Sequence, residues 1–175
     1  MDEAWDLEVW TPNRRFGMIL PRERLSEMLR FCRKAGDRET GGILIGRYTD
    51  ALDLAIVHEI TGPPTDSAFG RTWFHRGWVG LQTHLLQRWR ISRDYYLGEW
   101  HFHPGSSPLP SFIDQEQMKK ISSTFEYQCP EPILLILGGN PRGKWAISAR
   151  VYPRGEQPQE MTESRPTNFQ PPVSE

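Results

Sequence analysis

The chain has 175 residues, a length typical of one domain, and its 21 basic and 22 acidic side chains leave a formal net charge of −1. This near balance gives no electrostatic reason to expect nucleic acid or an anionic membrane as a partner. No signal peptide or membrane-spanning apolar run is recognisable, and two cysteines without disulfide or zinc spacing, Cys32 and Cys129, favour free buried thiols in the cytoplasm.

The first 36 residues predict two short strands followed by an amphipathic helix. A short possible strand covers positions 7–10, an apolar run covers 16–20, and a proline follows this run. Gly36 is placed to end the helix as a C-cap. The spacing i, i+3, i+4 and i+7 predicts one buried face, formed by Leu25, Met28, Leu29 and Cys32.

A glutamate stands at the start of the next predicted strand. Glu39 precedes Thr-Gly-Gly and an apolar strand over 43–48, which pairs as a hairpin with a second strand over 54–60. Glycines at a strand start allow another backbone to approach closely. Taken alone, Glu39 fits an exposed strand-end residue better than a functional one.

The segment 61–73 is a long loop rich in proline and glycine, a kind of loop that often carries function. It is either a flap over a substrate, with Phe69 and Trp73 as contacts, or a plain connection. A second helix follows. Its apolar stripe is predicted to lie in the core and consists of Trp78, Leu81, Leu85, Leu86 and Trp89.

Two histidines end the aromatic strand predicted over 95–103. Residues i and i+2 of a strand point to the same face, so His101 and His103 can present both imidazoles to one point. After a proline-bounded loop, Ser111 begins a third helix, with Asp114 in its first turn. Two imidazoles and a carboxylate form a three-ligand set typical of catalytic zinc, with the fourth position left for water.

The last part of the chain predicts two strands and a tail. Apolar residues at 133–137 and alternating residues at 145–151 indicate strands. From residue 153 the composition shifts to Pro, Gln, Glu, Ser and Thr. We therefore expect one domain over 1–154 and a disordered or loosely attached tail over 155–175.

These residues resemble a known family. The order His101-x-His103-Pro, then Ser111 and Asp114, is similar to the JAMM motif of the MPN-plus metallopeptidases. The segment Glu39-Thr-Gly-Gly-Ile-Leu-Ile-Gly resembles the upstream segment that carries their catalytic glutamate. The resemblance extends over about residues 16–152.

The resemblance implies both a fold and a mechanism. The fold is mixed α+β of the MPN/JAB, cytidine-deaminase-like type, with a central mixed β-sheet packed by about three helices. One Zn²⁺ per chain would be held by His101, His103 and Asp114 and would activate water. Glu39 would act as general base and Ser111 as oxyanion donor. A plain N-cap is the alternative role for Ser111, and both roles can hold together.

The resemblance also implies a class of substrate. Members cleave after the C terminus of ubiquitin or ubiquitin-like proteins, whose extended tail can add to a sheet edge. The compact form is similar to the deconjugating peptidase of bacterial CBASS antiphage operons. That peptidase removes a cyclic-nucleotide synthase from the targets to which it is conjugated. The resemblance therefore also implies conjugation enzymes of such an operon as partners. Alternatives are processing of a sulfur-carrier ubiquitin-fold protein and a non-catalytic MPN scaffold.

Overall fold

The computed structural model describes residues 6–163, which form ten strands and three α-helices. None of the helices in this part of the chain is long and apolar enough to cross a membrane. A short 3₁₀ helix, Phe125–Tyr127, follows the last α-helix. In chain order the elements are β1 (Leu7–Trp10), β2 (Gly17–Leu20), α1 (Arg22–Ala35), β3 (Thr40–Tyr48), β4 (Leu54–Ile60), β5 (Ala68–Phe69), β6 (Phe74–His75), α2 (Leu81–Ser92), β7 (Tyr95–Pro104), α3 (Phe112–Ser123), β8 (Ile133–Gly139), β9 (Trp145–Val151) and β10 (Gln159–Glu163).

Eight of the strands form one mixed sheet that closes into a barrel, in the order β1-β10-β9-β8-β7-β3-β4-β2. The β2–β4 and β7–β8 pairs are parallel, and the other neighbours are antiparallel. Strands β5 and β6 form a separate two-stranded sheet. The predicted mixed sheet with three helices is confirmed, and its closure into a barrel was not predicted.

Strand β7 separates two hydrophobic clusters because its side chains alternate between faces. Trp100 and Phe102 lie in the larger cluster, which also contains the buried face predicted for α1. Ile43 and Ile45 of β3 lie in the second cluster, beneath residues of α2 and α3. The cysteines lie one in each cluster as free thiols, and burial raises the pKa of each to about 12.

The prediction for α2 is wrong in one respect, because most of its apolar stripe is exposed. Leu81 is buried and Leu85 is partly buried, but Trp78, Leu86 and Trp89 are 56%, 51% and 46% exposed. Trp78 also lies before the helix, which begins at Leu81. The stripe therefore contributes little to the core.

Polar contacts explain why α2 does not bury its stripe. His84 Nε2 lies 2.5 Å from Glu59 Oε1 of β4, and Arg88 donates to Asp94 Oδ2 at 2.7 Å. His58 Nδ1 lies 2.8 Å from Asp94 Oδ1. These contacts orient the polar side of α2 toward the barrel beside Leu81 and Leu85, so periodicity alone predicted the buried face only in part.

The predicted C-terminal tail begins too early. Strand β10, at residues 159–163, lies between β1 and β9 in the barrel, with Met161 only 3% exposed. Backbone pairing on both sides and one buried apolar side chain fix this segment despite its polar composition. Residues 164–175 lie outside the described part of the chain.

Candidate active site

The β3–β7 pair presents the two histidines on a single face. His101 and His103 point away from the Trp100 and Phe102 cluster and are only 4% and 8% exposed. Gly41 lies opposite His101, and a Cβ at that position would collide with the Trp100 carbonyl oxygen. The expected close approach at the glycine-rich start of β3 is therefore confirmed.

The N-terminal cap of helix α3 positions the Asp114 carboxylate. Ser111 is the N-cap, and its Oγ accepts a hydrogen bond from the Asp114 backbone N–H at 3.1 Å. The Asp114 Oδ2 atom in turn accepts hydrogen bonds from the Ser111 backbone N–H and hydroxyl, both at 2.7 Å. This capping box fixes Asp114 before any ligand binds.

The cap brings Asp114 against both histidines. Asp114 Oδ1 lies 2.9 Å from His101 Nδ1, and Asp114 Oδ2 lies 3.6 Å from His103 Nε2. One ligand atom from each of these three residues lies within 4.8 Å of the others. The cluster is buried, and its donor set of two imidazoles and a carboxylate fits a zinc ion.

Electrostatic coupling holds the cluster together. Burial alone would raise the pKa of Asp114, but hydrogen bonds from His101 and Ser111 outweigh it and lower this pKa to about 2. Burial alone would lower the pKa of His101, but Asp114 and Glu99 outweigh it and raise this pKa to about 9. The two carboxylates therefore favour a positive charge at His101, which is a proton on the imidazole until a metal ion replaces it.

Glu39 directly precedes β3 and lies near Asp114 and His101 of the cluster. The next residue, Thr40, pairs with Phe102, and the Glu39 backbone N–H donates to the Gly70 carbonyl at 2.8 Å. Burial and the nearby charge of Asp114 raise the pKa of Glu39 to about 7, although His101 opposes the shift. A carboxyl group that titrates near neutrality can both accept and return a proton.

The 61–73 loop folds against the site. Phe69 stacks on Phe74 with ring centroids 6.2 Å apart, and Phe74 contacts His101 edge-on at 5.6 Å. Trp73 is 51% exposed, and its carbonyl accepts a hydrogen bond from the Gly70 N–H at 2.9 Å. Phe69 therefore reaches the metal cluster through Phe74, and Trp73 contacts Gly70 of the same loop. Their contact with substrate remains a prediction.

Sequence reasoning missed three residues of this region. Phe74 packs on His101, and Arg76 and Glu99 form a buried ion pair with Nη2 and Oε1 2.7 Å apart. Glu99 carries a signal that could have been used, because it stands two residues before His101 on the same face of β7. No sequence signal points to Arg76, because its partner Glu99 lies 23 residues further along the chain.

Replacing Ser111 by alanine should lower kcat while the metal content stays unchanged. The hydroxyl is the side-chain donor that the α3 cap places beside Asp114, and losing one oxyanion donor typically costs about a hundredfold to a thousandfold in kcat. Loss of the cap should also cost about 1 kcal/mol in the free energy of unfolding. Steady-state kinetics and chemical denaturation measure the two effects. Ser111→Thr, which keeps a hydroxyl, is the control, and an unchanged kcat in Ser111→Ala would leave only the capping role.

Comparison with known proteins identifies relatives of this chain. The family described as prokaryotic homologues of the JAB domain matches residues 21–150. A "CD-NTase/cGAS isopeptidase" of Enterobacter hormaechei subsp. hoffmannii (strain UCI 50) is 45% identical over 148 residues, which are 85% of this chain and 82% of the relative. A "Probable metalloprotease y4qB" of Sinorhizobium fredii is 28% identical over 70% of this chain and 76% of its own length.

A solved structure shares the fold. The solution structure of protein DSY2949 from Desulfitobacterium hafniense superposes with a TM-score of 0.53 and covers 81% of this chain and 86% of that one. The two sequences are 19% identical, so this likeness concerns the fold alone.

Proposed function

Because the chain belongs to the family of prokaryotic JAB-domain homologues and is a JAMM-type peptidase, we propose that it is a zinc-dependent isopeptidase that releases one protein from another by cleaving after a C-terminal residue. The observation that carries this proposal is the buried cluster of His101, His103 and Asp114 with Glu39 beside it. This set provides a metal site and a carboxylate poised near neutrality.

The proposed roles follow from the chemistry of each side chain. His101, His103 and Asp114 would hold the zinc, which when bound supplies a Lewis acid that activates water and polarises the scissile carbonyl. The Glu39 carboxylate would accept a proton from the attacking water and return it to the leaving amine. The Ser111 hydroxyl would donate a hydrogen bond to the oxyanion that develops on the substrate carbonyl.

We propose a conjugated cyclic-nucleotide synthase as the substrate, within a CBASS antiphage system. Support comes from the relative that is 45% identical and whose name specifies a CD-NTase/cGAS isopeptidase. A C-terminal tail in extended form would lie beside Phe69 and the exposed indole of Trp73, where the β5–β6 hairpin flanks the site. Two free buried thiols are compatible with the reducing cytoplasm in which we place this reaction.

A synthase joined through its C terminus to a reporter protein tests the proposal. The expected result is a cut directly after the last synthase residue, located by mass spectrometry of the products and abolished by a metal chelator. A cut elsewhere, or cleavage that is insensitive to the chelator, would contradict the proposed mechanism. Absence of a cut together with efficient trimming of a sulfur-carrier precursor would favour the alternative substrate.

A further inference from the structure

A buried ion pair lies directly behind the metal cluster. The side chains of Arg76 and Glu99 are 2% and 0% exposed, and Arg76 donates three hydrogen bonds to the Glu99 carboxylate at 2.7 to 3.0 Å. The hydroxyl of Tyr96 donates a fourth at 3.1 Å. Buried ion pairs contribute little net stability because the charges lose their hydration. We therefore expect the Arg76–Glu99 pair to have a role other than stabilising the fold.

Glu99 faces one of the proposed metal ligands. Its Oε2 atom lies 3.9 Å from His101 Nε2, while the other ring nitrogen, Nδ1, faces Asp114. His101 Nε2 is buried and has no hydrogen-bond partner within residues 6–163. At 3.9 Å the interaction with Glu99 is electrostatic rather than a hydrogen bond. The imidazole thus lies between two carboxylates, one on the side of each nitrogen.

Arg76 connects this carboxylate to the β5–β6 hairpin. Arg76 directly follows β6, and β6 begins with Phe74, whose ring packs edge-on against His101. The Arg76 guanidinium also donates to the Gly77 carbonyl at 2.9 Å and lies over the Trp78 ring. One guanidinium therefore contacts both the Glu99 carboxylate and the residues that directly follow the β5–β6 hairpin.

We propose that Glu99 and Arg76 are positioning residues, which hold the His101 ring in its metal-binding orientation and fix the β5–β6 hairpin to the metal centre. The proposal rests on the metal site of the proposed function. Carboxylates that orient a metal-ligating histidine raise its basicity, and their removal typically lowers metal affinity by about 10-fold to 100-fold. Glu99 and Arg76 touch no reacting atom in this arrangement.

Co²⁺ binding to purified protein tests the role of Glu99. Glu99→Gln should weaken Co²⁺ affinity by about 10-fold to 100-fold, measured by chelator competition, and should change the visible absorption of the bound ion. Asp94→Asn is the matched control, because Asp94 is also buried and paired with an arginine but precedes β7, at the end remote from His101 and His103. Asp94→Asn should leave affinity and spectrum unchanged even where it lowers the melting temperature.

A double variant separates positioning from folding. Arg76→Met with Glu99→Leu removes both charges together, so no lone buried charge remains and the fold should persist. Its Co²⁺ affinity should still fall as in Glu99→Gln. Wild-type affinity and spectrum in either folded Glu99 variant would overturn the positioning role while leaving the metal site intact. Failure of the wild-type protein to bind Co²⁺ would overturn the metal site and this inference with it.

Discussion

Glu39→Gln is expected to lower kcat by about a hundredfold to ten-thousandfold, while the protein keeps its fold and its metal. Glutamine preserves the size of the side chain but cannot accept a proton. Glu39 is not among the three clustered ligand residues, so its replacement leaves the metal donors in place. Turnover of a conjugate, elemental analysis of bound metal and circular dichroism measure the three properties on the same preparation.

A matched glutamate controls for general effects of the substitution. Glu131 is also partly buried, and burial likewise raises its pKa, but it precedes β8 at the end remote from His103. Glu131→Gln should therefore keep wild-type kcat. Wild-type turnover in Glu39→Gln would show that another group moves the proton.

Removing the two imidazoles together, as His101→Ala with His103→Ala, is expected to eliminate both metal binding and turnover. The single carboxylate that remains cannot hold zinc against solvent, since catalytic sites use three protein ligands. Asp114→Asn is the milder variant. Its amide oxygen can still accept the capping hydrogen bonds of Ser111, while the charge on the metal donor is lost. We expect this variant to stay folded and to bind metal more weakly than the wild type.

Elemental analysis of purified protein measures the effect on the metal. The wild type should contain about one zinc per chain, and the double-alanine variant close to none. His58→Ala with His84→Ala removes two histidines that contact carboxylates away from the cluster and should keep the metal. Equal zinc content in the wild type and the His101 and His103 variant would contradict the assignment of ligands.

Local patterns predicted most of the elements of the fold, because each depends on neighbours along the chain. The strand over 54–60 and the helix face that contains Leu25 and Met28 were predicted correctly from alternation and helical spacing. The stripe of α2 was not, because the choice between its two faces depends on Glu59 and Asp94, which belong to other elements. Strand β10 was missed for a similar reason: its partners are supplied by β1 and β9.

In the candidate site, too, features set by local spacing were predicted and a long-range contact was missed. His101 and His103 share a face because they lie two apart on one strand, and Asp114 lies three positions after the N-cap of α3, so local spacing predicted each of these two pieces. That the two pieces meet at one metal was implied by the resemblance to the JAMM motif. The Arg76–Glu99 pair depends on how the loop after β4 returns to β7, which no local pattern encodes. The roles of the clustered residues in catalysis remain predictions.

Restoration of activity by metal tests the central claim most directly. The protein is first stripped with a chelator, zinc is then added back in steps, and cleavage of an isopeptide-linked conjugate is measured together with the bound metal. We predict that the stripped protein is inactive and that activity rises in proportion to bound zinc, up to about one ion per chain. Full activity in the stripped protein, or no recovery while zinc fills the site, would contradict the account.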